Sequence, residues 1–184
     1  MAKVIADDSS GSKGRIGIAV ARFNEVVTER MLDGALETLK DQGVADEDIT
    51  VTWVPGAFEL PVACRWLAKS GQCDALIMLG AIVRGGTDHY DYVCSGVTDG
   101  AMRVQLDLDI PIGFGVLTCG TMELALARAG GEAGNKGSDG GFVADLARRT
   151  FAFVASGGRR LSSCSRRARA GRGSADAHAH SAAA

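Results

Sequence analysis

A chain of 184 residues, 46% of them hydrophobic, holds enough apolar material for one ordinary globular core and too little for a second domain. Its formal net charge of -2 gives no basic field of the kind that draws a protein onto nucleic acid or anionic lipid. Small-molecule substrates are therefore the expected partners, with neither nucleic acid nor membrane.

Cys64, Cys73, Cys94, Cys119 and Cys164 are scattered without a CxxC pair, so neither a disulfide framework nor a zinc site is expected and the compartment should be reducing. The start MAKVIADDSSGSKG is polar where a signal peptide needs an apolar core. No later apolar run approaches the roughly 20 residues of a membrane span. A cytoplasmic protein is expected.

Residues 1–14 are read as a flexible arm. The first apolar run, Arg15–Ala21, reads as a buried strand, and Asn24 after it as the N-cap of a helix carrying Val27, Met31, Ala35 and Leu39 on one face until Gly43 ends it. A second strand, Ile49–Val54, precedes a helix starting near Phe58 with Pro61 in its first turn. The third strand is Ala75–Val83, followed by a helix over about Asp91–Leu108. The fourth is Ile112–Thr118, followed by helices over about Met122–Ala129 and Asp139–Val154.

Strict alternation of strand and helix predicts parallel strands joined by right-handed crossovers. The expected fold class is α/β: a three-layer α/β/α sandwich around a four-stranded parallel sheet, flavodoxin-like, spanning 15–155. Residues 156–184 hold six Arg and one Asp and almost nothing large and apolar, so this Arg/Ala/Ser-rich tail cannot build a core and is expected to be disordered. Without it, 14 basic and 21 acidic residues leave the body at -7.

In an open parallel sheet, ligands bind beyond the carboxyl ends of the strands. The segments there are ARFN (21–24), VPGAFELP (54–61) and RGGTDHYDYV (84–93), with Phe114 on the fourth strand. Gly85, Gly86 and Thr87 offer adjacent N–H groups and a hydroxyl ahead of a helix, which suits a phosphate, although an ordinary Gly-Gly turn has the same composition. His89 follows within reach of such a ligand, and an imidazole ordinarily titrates near pH 6.5, which suits a proton shuttle; a solvated helix-start side chain is the plainer reading.

Glu59, beside the backbone of Ala57 and Phe58, either binds sugar-like hydroxyls or only complements a helix N-terminus. Phe23 either stacks on a flat heterocycle or packs under the first helix. Arg128 and Lys136, the latter in GNKG (134–137), are either cations for phosphate and carbonyl groups or plain surface charges.

In order and spacing, ARFN, VPGAFELP, RGGTDHYDYV, FGVLT (114–118) and RAG followed by GNKG resemble the lumazine synthase family over about residues 15–139. The resemblance implies condensation of 5-amino-6-(D-ribitylamino)uracil with 3,4-dihydroxy-2-butanone 4-phosphate to 6,7-dimethyl-8-ribityllumazine, phosphate and water, in riboflavin biosynthesis, with no metal and no cofactor. It implies that Phe23 stacks on the pyrimidine, that Ala57, Phe58 and Glu59 hold the ribityl chain, and that Ile82 and Val83 line the pocket. Phe114 and Lys136 would serve the pyrimidinedione end. Gly85, Gly86, Thr87 and Arg128 would bind phosphate, with His89 as acid/base.

It also implies a homo-oligomer, a pentamer or a pentamer-based 60-subunit shell, with sites at subunit interfaces where Phe23 and the His89 loop face different chains, and riboflavin synthase as a further partner. Three positions depart from the family's pattern: Glu132 stands where many members carry Lys, and Gly140 and Gly141 replace small helix formers at about 0.8–1 kcal/mol each. These departures motivate the alternative of a catalytically impaired, shell-forming or lumazine/flavin-binding paralogue. A flavodoxin-like FMN module is disfavoured because ARFN stands where its phosphate loop belongs.

Overall fold

The computed structural model describes residues 14–155, with side chains through 152. The N-terminal arm, apart from Gly14, and the Arg-rich tail with Cys164 lie outside the described residues. Strands β1 (Ile16–Ala21), β2 (Ile49–Val54), β3 (Ala75–Val83) and β4 (Ile112–Cys119) form a parallel sheet in the order β2-β1-β3-β4. Helices α1 (Glu25–Asp41), α2 (Leu60–Lys69), α3 (His89–Leu108), α4 (Met122–Ala127) and α5 (Lys136–Ala155) cover its faces. The fold is the expected flavodoxin-like α/β sandwich.

Two apolar cores flank the sheet because strand side chains alternate between faces. Ile16, Ile18 and Val20 of β1 join Val27, Met31 and Leu39 of α1 on one face, with Ile77 and Leu79 of β3 and Ala144 of α5. Ala19 and Ala21 join Leu60 and Cys64 of α2, Val97 and Val104 of α3, and Met78 and Val116 on the other. Strand β1 is wholly buried, as a central parallel strand with helices on both sides must be.

The helix boundaries differ from expectation where tertiary contacts outweigh local propensity. Helix α3 begins at His89 rather than Asp91, and α4 ends at Ala127 rather than Ala129. The chain then turns into a small hairpin of β5 (Ala129–Gly131) and β6 (Gly134–Asn135), absent from the sequence reading. Gly130 and Gly134 adopt positive φ there, a geometry that glycine takes at little cost.

Helix α5 starts at Lys136, three residues ahead of the predicted Asp139. Asn135 explains the early start: its Oδ1 accepts the Gly137 N–H at 2.9 Å while its Nδ2 donates to the Arg30 carbonyl of α1 at 2.8 Å. Ser138 Oγ donates to the Gly34 carbonyl at 3.1 Å. Gly34 and Gly137 let the two helices touch, since a Cβ on Gly137 would run into the backbone carbonyl of Met31.

Asn24 is the N-cap of α1 as predicted, its carbonyl accepting the N–H groups of Val27 and Thr28 at 2.9 and 3.2 Å, but its side chain does not do the capping. The residue takes the left-handed conformation (φ 64). Its Nδ2 instead donates to the Ala81 carbonyl of β3 at 2.8 Å. Thr28 is buried at 0% exposure, and its hydroxyl donates to the Ala21 carbonyl at 2.8 Å, holding the first turn of α1 against the end of β1.

Candidate active site

Chain order reverses direction across the sheet between β1 and β3, and a crevice opens at that point beyond the carboxyl ends. The cleft measures about 570 Å³ and is lined by Phe23 and Asn24 after β1, Gly56 to Glu59 after β2, and residues from Ala81 to Val93 at the end of β3. That volume is in the range of small-ligand sites. Phe23 and His89 line the same cleft of one chain.

Backbone bonds fix the cleft wall: the N–H groups of Arg22 and Phe23 donate to the carbonyls of Val54 and Pro55 at 2.8 and 3.0 Å. The Phe23 ring is 72% exposed, so it does not pack under α1. Phe58, also largely exposed, rests its ring edge on Gly96 of α3, where a Cβ would come within 2.6 Å of it. Glu59 Oε2 accepts the Gly56 N–H at 2.9 Å and the Glu59 N–H donates to the Gly56 carbonyl at 3.3 Å, closing the 3-10 turn Ala57–Glu59 that leads into α2. Helix-start complementation is thus real, and the same carboxylate also lines the cleft.

Gly85 and Gly86 are informative because nothing among the described residues demands them. Neither takes a positive φ, and a Cβ on either would meet no atom within 4 Å. Missing side chains in open space leave backbone N–H groups accessible to a ligand. Gly85, Thr87 and His89 line the cleft, whereas Gly86 lies outside its lining. Ile82, Val83, Ala57 and Phe58 supply apolar wall.

Phe114, Arg128 and Lys136 are not among the lining residues. Phe114 pairs in register with Met78, well below the carboxyl end of edge strand β4, and is 43% exposed. The Arg128 guanidinium donates to the Leu124 carbonyl at 3.0 Å, and Lys136 Nζ pairs with Asp139 at 2.6 Å. Glu132 is exposed at the tip of the hairpin.

The structure adds lining residues that sequence reasoning missed: Asn24, Gly56, Ala81, Tyr90, Tyr92 and Val93. The signal for the tyrosines lay in their position one and three residues beyond His89 on a helix start. Burial and the neighbouring Cys94 push the Tyr90 phenol above its ordinary range. Burial pushes the Cys64 thiol up to about 12, which keeps it protonated and unreactive. Among the described residues no group of three or more His, Cys, Asp or Glu side chains is placed to hold a metal ion, and no helix is long and apolar enough to cross a membrane.

A family model described as 6,7-dimethyl-8-ribityllumazine synthase matches residues 13–146. A Pediococcus pentosaceus protein named 6,7-dimethyl-8-ribityllumazine synthase is 55% identical over 130 residues, covering 71% of this chain and 83% of the relative. With ARFN, VPGAFELP and RGGTDHYDYV gathered at one edge of a flavodoxin-like sheet, the chain belongs to the 6,7-dimethyl-8-ribityllumazine synthase family.

Proposed function

We propose that this chain condenses 5-amino-6-(D-ribitylamino)uracil with 3,4-dihydroxy-2-butanone 4-phosphate to form 6,7-dimethyl-8-ribityllumazine in riboflavin biosynthesis, as its family membership implies. The balance requires release of phosphate and two molecules of water. The single observation that carries the site assignment is the cleft that unites an exposed ring, Phe23, with an uncrowded glycine loop and His89.

The division of labour follows from what each group offers. Phe23 stacks on the pyrimidine, the Ala57–Glu59 turn holds the ribityl hydroxyls, and Ile82 and Val83 line the ring's apolar side. The loop at Gly85, Gly86 and Thr87 receives the phosphate. Schiff base formation, phosphate elimination and ring closure each move protons and need two reactants held together, but none needs a strong nucleophile from the protein. Positioning supplies most of the rate, with His89 as the proton shuttle.

Phe114, Arg128 and Lys136 serve this site from a neighbouring copy of the chain in a cytoplasmic homo-oligomer, a pentamer or a shell built of pentamers. Their placement outside the cleft of their own chain supports this reading, as do the exposed apolar side chains Trp66 (70%) on α2 and Leu106 (69%) on α3. Riboflavin synthase is the partner that takes the product onward.

The test mixes purified protein with both substrates and follows lumazine absorbance and fluorescence against a protein-free control. Acceleration that weakens in Arg128→Ala supports the reading. A folded oligomer with no acceleration moves the assignment to the non-catalytic paralogue, which no observation here favours.

A further inference from the structure

The glycine loop is bracketed by an ion pair that the reading above does not use. Arg84 directly precedes Gly85, and its backbone N–H is fixed to the Cys119 carbonyl of β4 at 2.9 Å. Its guanidinium makes a two-pronged pair with Asp91 in the first turn of α3, at 3.1 and 2.6 Å. It also lies over the Tyr90 ring, 4.1 Å from the centroid. Gly85, Gly86, Thr87, Asp88 and His89 all fall inside the closed segment.

Inside that segment little else confers order. A Cβ on Gly85 or Gly86 would touch nothing, and Asp88 makes no side-chain cap bond to α3. Two adjacent glycines have the largest conformational freedom to lose on binding an anion. An exposed ion pair contributes little to the stability of a whole fold, with its side chains here 47% and 57% exposed. Its leverage is local: two-pronged geometry and stacking fix the guanidinium in direction as well as distance, which a lysine ammonium does not do.

We propose that Arg84 and Asp91 form a clamp that holds the glycine loop in its anion-receiving shape and sets His89 over the cleft, making both of them positioning residues. The inference rests on the loop being the phosphate site. Arg84 is engaged with Asp91 and with Tyr90, so its charge is spent on shaping the loop rather than on the ligand.

The experiment compares wild type, Asp91→Asn and Asp91→Glu by calorimetric titration with inorganic phosphate, by KM and kcat for the butanone phosphate, and by thermal melting. The expected result for Asp91→Asn is phosphate binding weakened about tenfold and a matching rise in KM, with the melting temperature unchanged. Asp91→Glu, which retains a carboxylate within reach, should recover most of the loss. Tighter phosphate binding in Asp91→Asn would overturn the clamp, because it would mean that a released Arg84 binds the anion directly. Unchanged phosphate binding overturns it as well, as does a lowered melting temperature that Asp91→Glu fails to restore. If wild type turns over neither substrate, the functional reading fails, and the phosphate titration still decides the clamp.

Discussion

The carboxamide of Asn24 donates to the carbonyl oxygen of Ala81 across 2.8 Å, joining the exit of β1 to the carboxyl end of β3 at the floor of the cleft. The residue holds this contact in the left-handed conformation, at φ 64 and ψ 42, which non-glycine residues adopt at a cost. Two demands therefore meet at one position. Asn24→Gly keeps the backbone geometry and loses the link, with an expected loss of about 1 kcal/mol. Asn24→Ala loses the link and bears the left-handed strain, adding about 1 kcal/mol more. Urea unfolding of the three proteins checks the order, and an alanine variant as stable as the glycine variant would show that the strain is absent.

His89 lies exposed at the first turn of α3 and lines the cleft. If positioning carries most of the rate as proposed, His89→Ala should lower kcat by about 10²-fold or less and leave KM for both substrates within a small factor. Steady-state kinetics decides this. Abolished turnover with substrate binding intact would assign the imidazole a larger share than the geometry supports.

Arg128 hydrogen-bonds to the Leu124 carbonyl of its own helix, away from the cleft lined by its chain. If a neighbour supplies it, His89→Ala and Arg128→Ala chains co-assembled in equal amounts should rebuild about one site in four with both wild-type groups. Activity of the mixture should then exceed that of either variant alone. A mixture no better than the average of its parents would place Arg128 outside any shared site.

The glycines of the α1, α5 and β4 contact are unequal. A Cβ on Gly137 would strike the Met31 carbonyl and one on Gly113 would strike the Gly140 carbonyl, whereas one on Gly140 would meet the Ile77 side chain at an ordinary 3.4 Å. Gly137→Ala and Gly113→Ala should each destabilise by about 1–3 kcal/mol. Gly140→Ala should be neutral or stabilise by up to about 1 kcal/mol through helix propensity. Denaturant midpoints measure all three, and a Gly140→Ala protein as weak as Gly137→Ala would contradict the packing.

At the opposite edge of the sheet, Asp74 accepts from the Arg15 backbone at 2.9 Å and from its guanidinium at 3.0 Å. Partial burial pushes the Asp74 carboxyl up, but the Arg15 hydrogen bonds and charge outweigh it and hold the carboxyl below its usual range. A depressed folded value means that the stabilisation is complete above the unfolded value of about 3.9 and is lost as pH falls through the folded one. Asp74→Asn should therefore be less stable than wild type at neutral pH, with the two urea midpoints converging in strong acid. Added salt should also narrow the gap, since both side chains are exposed. A gap independent of pH would point to packing rather than charge.

Much of the fold was legible in local pattern. The apolar runs at 15–21 and 75–83 read as strands because a central parallel strand buries both faces, the run at 112–118 reads as one although it forms an edge, and Val27, Met31, Ala35 and Leu39 read as one helix face because their spacing follows the helical turn. The exposed glycines at 85 and 86 and the neighbouring His89 stood out through residue type alone. The hairpin at 129–135 did not, because its strands are two and three residues long and are held by glycine backbone geometry and by contacts to α1. The early start of α5 was equally hidden, since Asn135 is held by a carbonyl 105 residues away in sequence.

The sequence by itself determined the alternation of strands and helices and the carboxyl edge, where the cleft lies, as the place to look for a ligand, since these depend on periodicity and side-chain identity. Tertiary structure alone decided which residues meet there. The reversal of strand order between β1 and β3 brings Phe23, the Ala57–Glu59 turn and the His89 loop into one cleft, while Phe114 on edge strand β4, Arg128 after α4 and Lys136 at the start of α5 lie outside it. Distance between strands in space is a property of sheet order, and no local pattern in the chain encodes it.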